Sequence, residues 1–346
     1  MRIFSRRGSA RKYAYITARV RSMKRKLIPK ETYPKLLQMD IPEIIRFIEE
    51  SEYRQDVDEL ARSFSGIDLL EHALNRNLAM TYRKLIDISQ EEAKFLITEY
   101  LRYWDIWNIK TILRGKYYGA SEEEILDSVV SAGELRYRDL TSLVKIESIE
   151  EIIAELSNTP YYEILKNYDG GVLSNIEDEL DKLYYLRLLK SVGESQGDKL
   201  FLKFIRTEID IKNLQNLFRL KKAEADKDII LNKLIPGGME LKQNDLNKLS
   251  SLSLQEFIKA LESLPYWNAI ADIVSQESIP VGKIATRLNK YALDYVSQIS
   301  HYYPLSIVPI LDYMISKKNE VTNIRIIARG KETNLPDNII RDQLVI

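Results

Sequence analysis

The stretch WDIWNIKTILRGK at 104–116 returns as IDIKNLQNLFRLK at 209–221 and again as NEVTNIRIIARGK at 319–331. The shared pattern is an acid, two residues, Asn, an aliphatic residue, four residues, Arg, one residue and Lys. Its acids are Asp105, Asp210 and Glu320, at intervals of 105 and 110. A second, unrelated pattern keeps the same order and nearly the same period. EIIRFIEESEY at 43–53 returns as EIIAELSNTPY at 151–161 and as EFIKALESLPY at 256–266, at intervals of 108 and 105. Each copy follows a leucine-rich segment and opens on a turn or cap signal such as Pro42 or Ser253. Two patterns sharing one period make internal repetition the organising feature of the chain.

The period is longer than that of the common helical-hairpin repeats. Each copy has room for about five or six helices of ordinary length, so each is a small domain. Apolar residues recur at three- and four-residue spacing, as in Leu60, Phe64, Leu69, Leu70 and Leu74, while Gly (13) and Pro (10) are sparse. That spacing is helical. The fold class is therefore all-α, with three similar helical domains in a pseudo-three-fold arrangement. The expected divisions fall near Gly119 and Ala223. They give 1–118 with a basic N-terminal arm, 119–222, and 223–346 with a C-terminal tail.

On a helix, Asp105, Asn108, Ile109, Ile112 and Lys116 share one stripe. Asp210, Asn213, Leu214 and Leu217 do the same, as do Glu320, Asn323, Ile324 and Ile327. An acid and an amide thus lie on the apolar, inward face, where polar groups must find partners. We expect them to bond backbone at the end of a neighbouring helix and to hold the domain's shape; the functional alternative is a socket for a partner. Arg114, Arg219 and Arg329 fall near the opposite side. With Lys116, Lys221 and Lys331 they belong to a last helical turn, where cations complement the helix dipole. Gly115 and Gly330 suit helix termination there.

Net charge is zero over 346 residues, yet residues 1–30 hold eleven Arg and Lys and no Asp or Glu. The excess points to an anionic partner. The contact candidates are Arg6, Arg7, Arg11, Lys12, Arg19, Arg21, Lys24, Arg25 and Lys26. The alternative is a solvated helical arm. Cysteine is absent, which excludes disulfides and thiolate metal sites. Only His72 and His301 carry imidazole, and neither has a motif-like setting. None of the Gly-Lys pairs at 115–116, 282–283 and 330–331 has the glycine or the Ser/Thr of a phosphate loop. No catalytic residue, cofactor or metal ligand is assigned. The longest uncharged stretch, 295–311, contains Pro304 and Pro309 and is not a spanning helix. A soluble chain with peripheral membrane contact is expected. The 21 tyrosines, several in pairs, are read as bridging core and water rather than as base-stacking platforms.

Three stretches carry a family likeness. YAYITARVRSMKRKL at 13–27, WDIWNIKTILRGKYYG at 104–119 and PLSIVPILDYMISKKNEVTNIRIIARGKETNLP at 304–336 resemble the C subunit of A-type (archaeal/V-type) ATP synthases, the family related to the d subunit of V-ATPases. The resemblance implies a funnel of three helical domains and a non-catalytic central-stalk rotor protein. One copy per complex would link the membrane proteolipid (c/K) ring to the D and F subunits of the stalk, and indirectly to the A and B subunits. It would transmit torque between ion translocation and ATP synthesis or hydrolysis. It would sit peripherally on the cytoplasmic face of the cell membrane, with no nucleic acid partner. A competing reading is a helical adaptor scaffold that binds nucleic acid or an acidic protein through its basic N-terminus.

Overall fold

A computed structural model describes residues 3–194, 199–276 and 279–346, with side chains from Tyr13 onward except at 193–194. Among the described residues every regular element is helical.

Caps set where the helices of the second repeated pattern begin. The Asp40 carboxylate accepts from the Glu43 N–H at 2.8 Å, and Glu43 accepts from the Asp40 N–H at 3.0 Å. Ser253 and Glu256 form the same reciprocal box, and Ser148 accepts from the Glu151 N–H at 3.1 Å. These three residues start the helices Ile41–Glu49, Leu254–Ala260 and Ile149–Glu155. Each cap satisfies N–H groups that the first helical turn leaves without partners and stabilises its helix by about 1 kcal/mol.

Further along each copy a long helix leads to the motif helix. The long helices are Gly66–Ile88, Ser174–Glu194 and Val281–Tyr302. The motif helices are Tyr103–Tyr117, Lys199–Lys222 and Val308–Glu332. The first is preceded by a separate helix, Glu91–Leu101, and the break falls at Arg102. The other two run unbroken for 24 and 25 residues.

All three motif helices stop in the same way. Gly119, Glu224 and Asn334 adopt positive φ, at 72°, 53° and 54°. The N–H of the next residue reaches back to a carbonyl in the last turn: Ala120 to Gly115 at 2.8 Å, Ala225 to Leu220 at 3.0 Å, Leu335 to Gly330 at 2.8 Å. This is a Schellman closure. It corrects the reading of Gly115 and Gly330 as terminators, because both helices run past them. Their role is close packing. A Cβ at Gly115 would stand 2.3 Å from Cγ1 of Ile125, and one at Gly330 would stand 2.6 Å from Ile340.

The chain condenses into two compact units, one of residues 39–188 and one of residues 1–38 together with 189–346. The first buries Leu70, Leu74, Ile109, Ile112 and Leu140 completely or nearly so. The second is built around Leu214, Leu217, Phe218, Phe257, Ile270 and Leu288, with the two phenylalanine rings edge to face at 4.9 Å. The N-terminal helix Ile3–Lys24 belongs to this second unit and packs along Val308–Glu332. It buries Tyr13, Ile16, Thr17 and Val20. That is one stripe at helical spacing.

Candidate functional site

Two sets of polar residues stand out in the sequence. The repeated motif builds a clasp inside the fold. Asp105, Asn108, Asp210, Asn213 and Asn323 are fully buried, and Glu320 is 3% exposed. Asn108 donates to the Val130 carbonyl and accepts from the Val130 N–H, both at 2.8 Å. Asn213 makes the same pair with Ile235 at 2.7 and 2.8 Å. Asn323 makes it with Val345 at 2.9 and 3.0 Å. In each case the partner lies 22 positions downstream. It follows the short helix Glu122–Ser128, Lys227–Asn232 or Asp337–Arg341.

In the first two copies the acids hold the chain a few residues further on. Asp105 accepts from the N–H groups of Glu134 and Leu135 at 3.1 and 2.9 Å, and from the Tyr161 hydroxyl at 3.0 Å. Asp210 accepts from Glu240 and Leu241 at 2.6 and 3.2 Å, and from the Tyr266 hydroxyl at 2.7 Å. Glycine makes room for both carboxylates. A Cβ at Gly133 or Gly238 would lie 2.1 or 1.9 Å from an oxygen of the acid. Burial pushes both carboxyls above their ordinary value, and the backbone donors and the tyrosine oppose that rise. The Tyr161 and Tyr266 hydroxyls are pushed far up, by burial first and by the adjacent carboxylate second. They therefore remain donors. Sequence reasoning found the acids and amides but missed Tyr161 and Tyr266 as their partners. The signal was present: each tyrosine stands 56 positions after its acid.

The motif's cations diverge. Arg114 forms a two-pronged pair with Glu177 at 2.5 and 2.6 Å. Arg219 donates to Asn216 at 3.1 Å, and Arg329 is exposed. Lys331 pairs with Asp337 at 2.7 Å, and Lys116 is half-buried. Lys221 is buried and reaches the carbonyls of Ser250, at 3.3 Å, and Leu252. It thus serves the end of the helix Gln243–Ser251 rather than its own helix alone, and burial lowers its pKa.

The second set is the basic N-terminus. Arg6, Arg7, Arg11 and Lys12 lie outside the described side chains. Lys24 is occupied: its Nζ sits 2.6 Å from both carboxylate oxygens of Asp312, which is buried on the third motif helix. Arg19, Arg21, Arg25 and Lys26 are exposed. Arg19 lies over the Tyr15 ring at 6.0 Å. One side of this helix is thus apolar and packed, and the other is cationic and open.

His72 Nε2 lies 2.7 Å from Asp127 Oδ1, and exposed His301 meets the Ser297 carbonyl at 2.7 Å. Among the described residues, no helix is long and apolar enough to cross a membrane.

The model of the ATP synthase (C/AC39) subunit family matches residues 16–343. The chain belongs to that family. It is 57% identical over 341 residues to the A-type ATP synthase C subunit of Methanococcoides burtonii, covering 98% of this chain and 96% of the relative. Against the protein of the same name from Methanosarcina mazei it is 51% identical, over 99% and 94% of the two chains. For that of Archaeoglobus fulgidus the identity is 43%, over 98% of both chains. The region matched by the family takes in the clasps of the first two copies, Glu320 and Asn323 of the third, and the N-terminal helix from Ile16 on.

Proposed function

We propose that this chain is the central-stalk rotor protein of an A-type ATP synthase. It couples the membrane proteolipid ring to the D and F subunits of the stalk and passes torque between ion translocation and the nucleotide-binding A and B subunits. It has no catalytic set of its own. It sits as a single copy on the cytoplasmic side, in peripheral contact with the membrane. Three similar helical domains form its funnel.

The observation that carries the membrane-side contact is the mounting of the helix Ile3–Lys24. Its apolar stripe is fixed by Tyr13, Ile16 and Val20, and Lys24 is pinned by Asp312. Arg19, Arg21 and Arg25 remain exposed. A rigidly mounted row of cations suits an anionic headgroup layer or acidic residues of a ring. Such contacts are polar, so salt screens them. The clasp residues, satisfied by their own backbone, are scaffold in this reading.

The test is co-sedimentation with ring-containing membranes at low salt, comparing the native chain with an Arg19→Glu, Arg21→Glu, Arg25→Glu variant. Loss of binding that rising salt mimics in the native chain is expected. Unchanged binding refutes the arm as the contact. Failure of the native chain to recover the D and F subunits in a pull-down refutes the rotor assignment itself.

A further inference from the structure

In the first two copies, the segment held by the clasp is continuous. Val130, bonded to Asn108, is five residues before Leu135, bonded to Asp105. Ile235, bonded to Asn213, is six residues before Leu241, bonded to Asp210. In the third copy the two partners lie far apart in the sequence. Val345, bonded to Asn323, is the penultimate residue. Glu320 accepts from the Ile28 backbone N–H at 2.5 Å and from the buried Lys317 Nζ at 2.9 Å. Tyr33, buried a few residues further on, has its hydroxyl bonded to Asn323, and burial first and the charge of Glu320 second push its pKa up.

Ile28 therefore occupies the position of Leu135 and Leu241. The following segments agree. Leu36 and Leu37 are fully buried, as are Leu140 and Leu246 at the matching place in the other copies. Asp40 caps the next helix where Ser148 and Ser253 do.

We propose that the third copy is closed by two distant segments of the chain. A covalent loop in copies one and two is replaced by a seam, with Val345 on one side, Ile28 on the other, and the Glu320–Asn323 face between them. In this circular order the helix Ile3–Lys24 is an insertion at the seam and has no counterpart in the other two copies. Three bonds fasten it there: Lys24 to Asp312, Ile28 to Glu320 and, across the seam, Val345 to Asn323. The last tightens the arm without touching it. The C-terminal residues thereby govern how firmly the cationic face is presented, although more than 300 residues separate them from it.

The experiment is hydrogen exchange by mass spectrometry on the full chain, read at the amides of residues 16–24. Asn323→Asp removes the donor to the Val345 carbonyl with little change in size. It is expected to speed exchange in that helix about tenfold, the effect of losing one buried bond and stranding its partner. Asn108→Asp, the same change where the loop is covalent, should leave the helix unaffected. Equal acceleration by both variants, or none by Asn323→Asp, overturns the proposal. A second arm needs no loss of folding. The chain has no cysteine, so Leu27→Cys with Ile346→Cys gives the only thiols. A short bismaleimide should join them within one molecule and slow exchange in residues 16–24. Absence of an intramolecular product also overturns the seam.

Discussion

Replacing Asn213 by Ala tests whether the clasp is scaffold. The side chain is fully buried and makes two bonds to one residue, at 2.7 Å to the Ile235 carbonyl and 2.8 Å from the Ile235 N–H. Alanine leaves both Ile235 groups without partners inside the fold. A stranded buried polar group costs about 1–3 kcal/mol, so two cost about 3 kcal/mol once partial relaxation is allowed. Against a typical total of about 5–15 kcal/mol, that is a large loss. The assay is urea unfolding followed at Trp267, which lies in the same compact unit. Trp104 and Trp107, the chain's other two tryptophans, are replaced by Phe so that one unit is read at a time. The midpoint should fall with an unchanged slope. Asn213→Asp should be at least as harmful, because it keeps the acceptor but faces the Ile235 carbonyl with a charge. A loss below about 0.5 kcal/mol in Asn213→Ala, the range of ordinary surface substitutions, would refute the reasoning.

Other consequences follow from the same geometry. Tyr161→Phe removes the hydroxyl 3.0 Å from Asp105 and should cost about 1.5–3 kcal/mol in thermal or urea melts, as for a bond to a charged group. Burial raises the Asp105 carboxyl above its ordinary 3.8. The fold therefore favours the protonated form, and this group's contribution is full below 3.8 and lost as pH rises through the folded value. Asn does not titrate, so the stability deficit of Asp105→Asn should be larger at pH 4 than at pH 7. Gly115→Ala drives a methyl into Ile125 and should cost about 1–3 kcal/mol by overpacking; Ile125→Ala removes the clashing Cγ1, so in melts the double variant should lose less than the sum of the two single losses. Glu224 holds a positive φ of 53°, so Glu224→Gly should raise stability by about 0.5–1 kcal/mol, measured by calorimetry.

The helical class and the buried face of the motif were legible because both rest on short-range periodicity. An acid and an amide three apart on an aliphatic stripe must point inward whatever lies opposite. What lies opposite was harder to read. The partners of Asn108, Asn213 and Asn323 are backbone groups, and backbone leaves little mark in sequence. The residues supplying it, Val130, Ile235 and Val345, are all β-branched at the same offset, a faint signal. The glycines misled for a related reason. Gly115 and Gly330 sit one turn before the true stop, and their cause is a neighbour ten residues on, Ile125 or Ile340. Two of the residues that do stop the helices, Glu224 and Asn334, are not glycine at all. Lys24 counts among the basic arm in composition, yet its partner Asp312 is 288 positions away.

The three copies also form a substitution series within one molecule. Aliphatic positions exchange freely, as at Ile109, Leu214 and Ile324, because Leu and Ile differ little once the surroundings repack. The amide never changes. Both of its polar atoms are committed to a single residue, at distances between 2.7 and 3.0 Å in every copy, and no other side chain that is uncharged at neutral pH offers one donor and one acceptor at that reach. The acid does change, from Asp105 and Asp210 to Glu320. A carboxylate only accepts, so its length need match only where the donors stand. In the first two copies the donors lie five or six residues from the amide's partner along a continuous chain, and the shorter acid fits. Glu320 instead meets Ile28, 292 positions away, and the buried Lys317 on its own helix, and the longer acid reaches both. The one copy with the longer acid is the one whose backbone donor comes from a distant segment, which is the relation a seam requires.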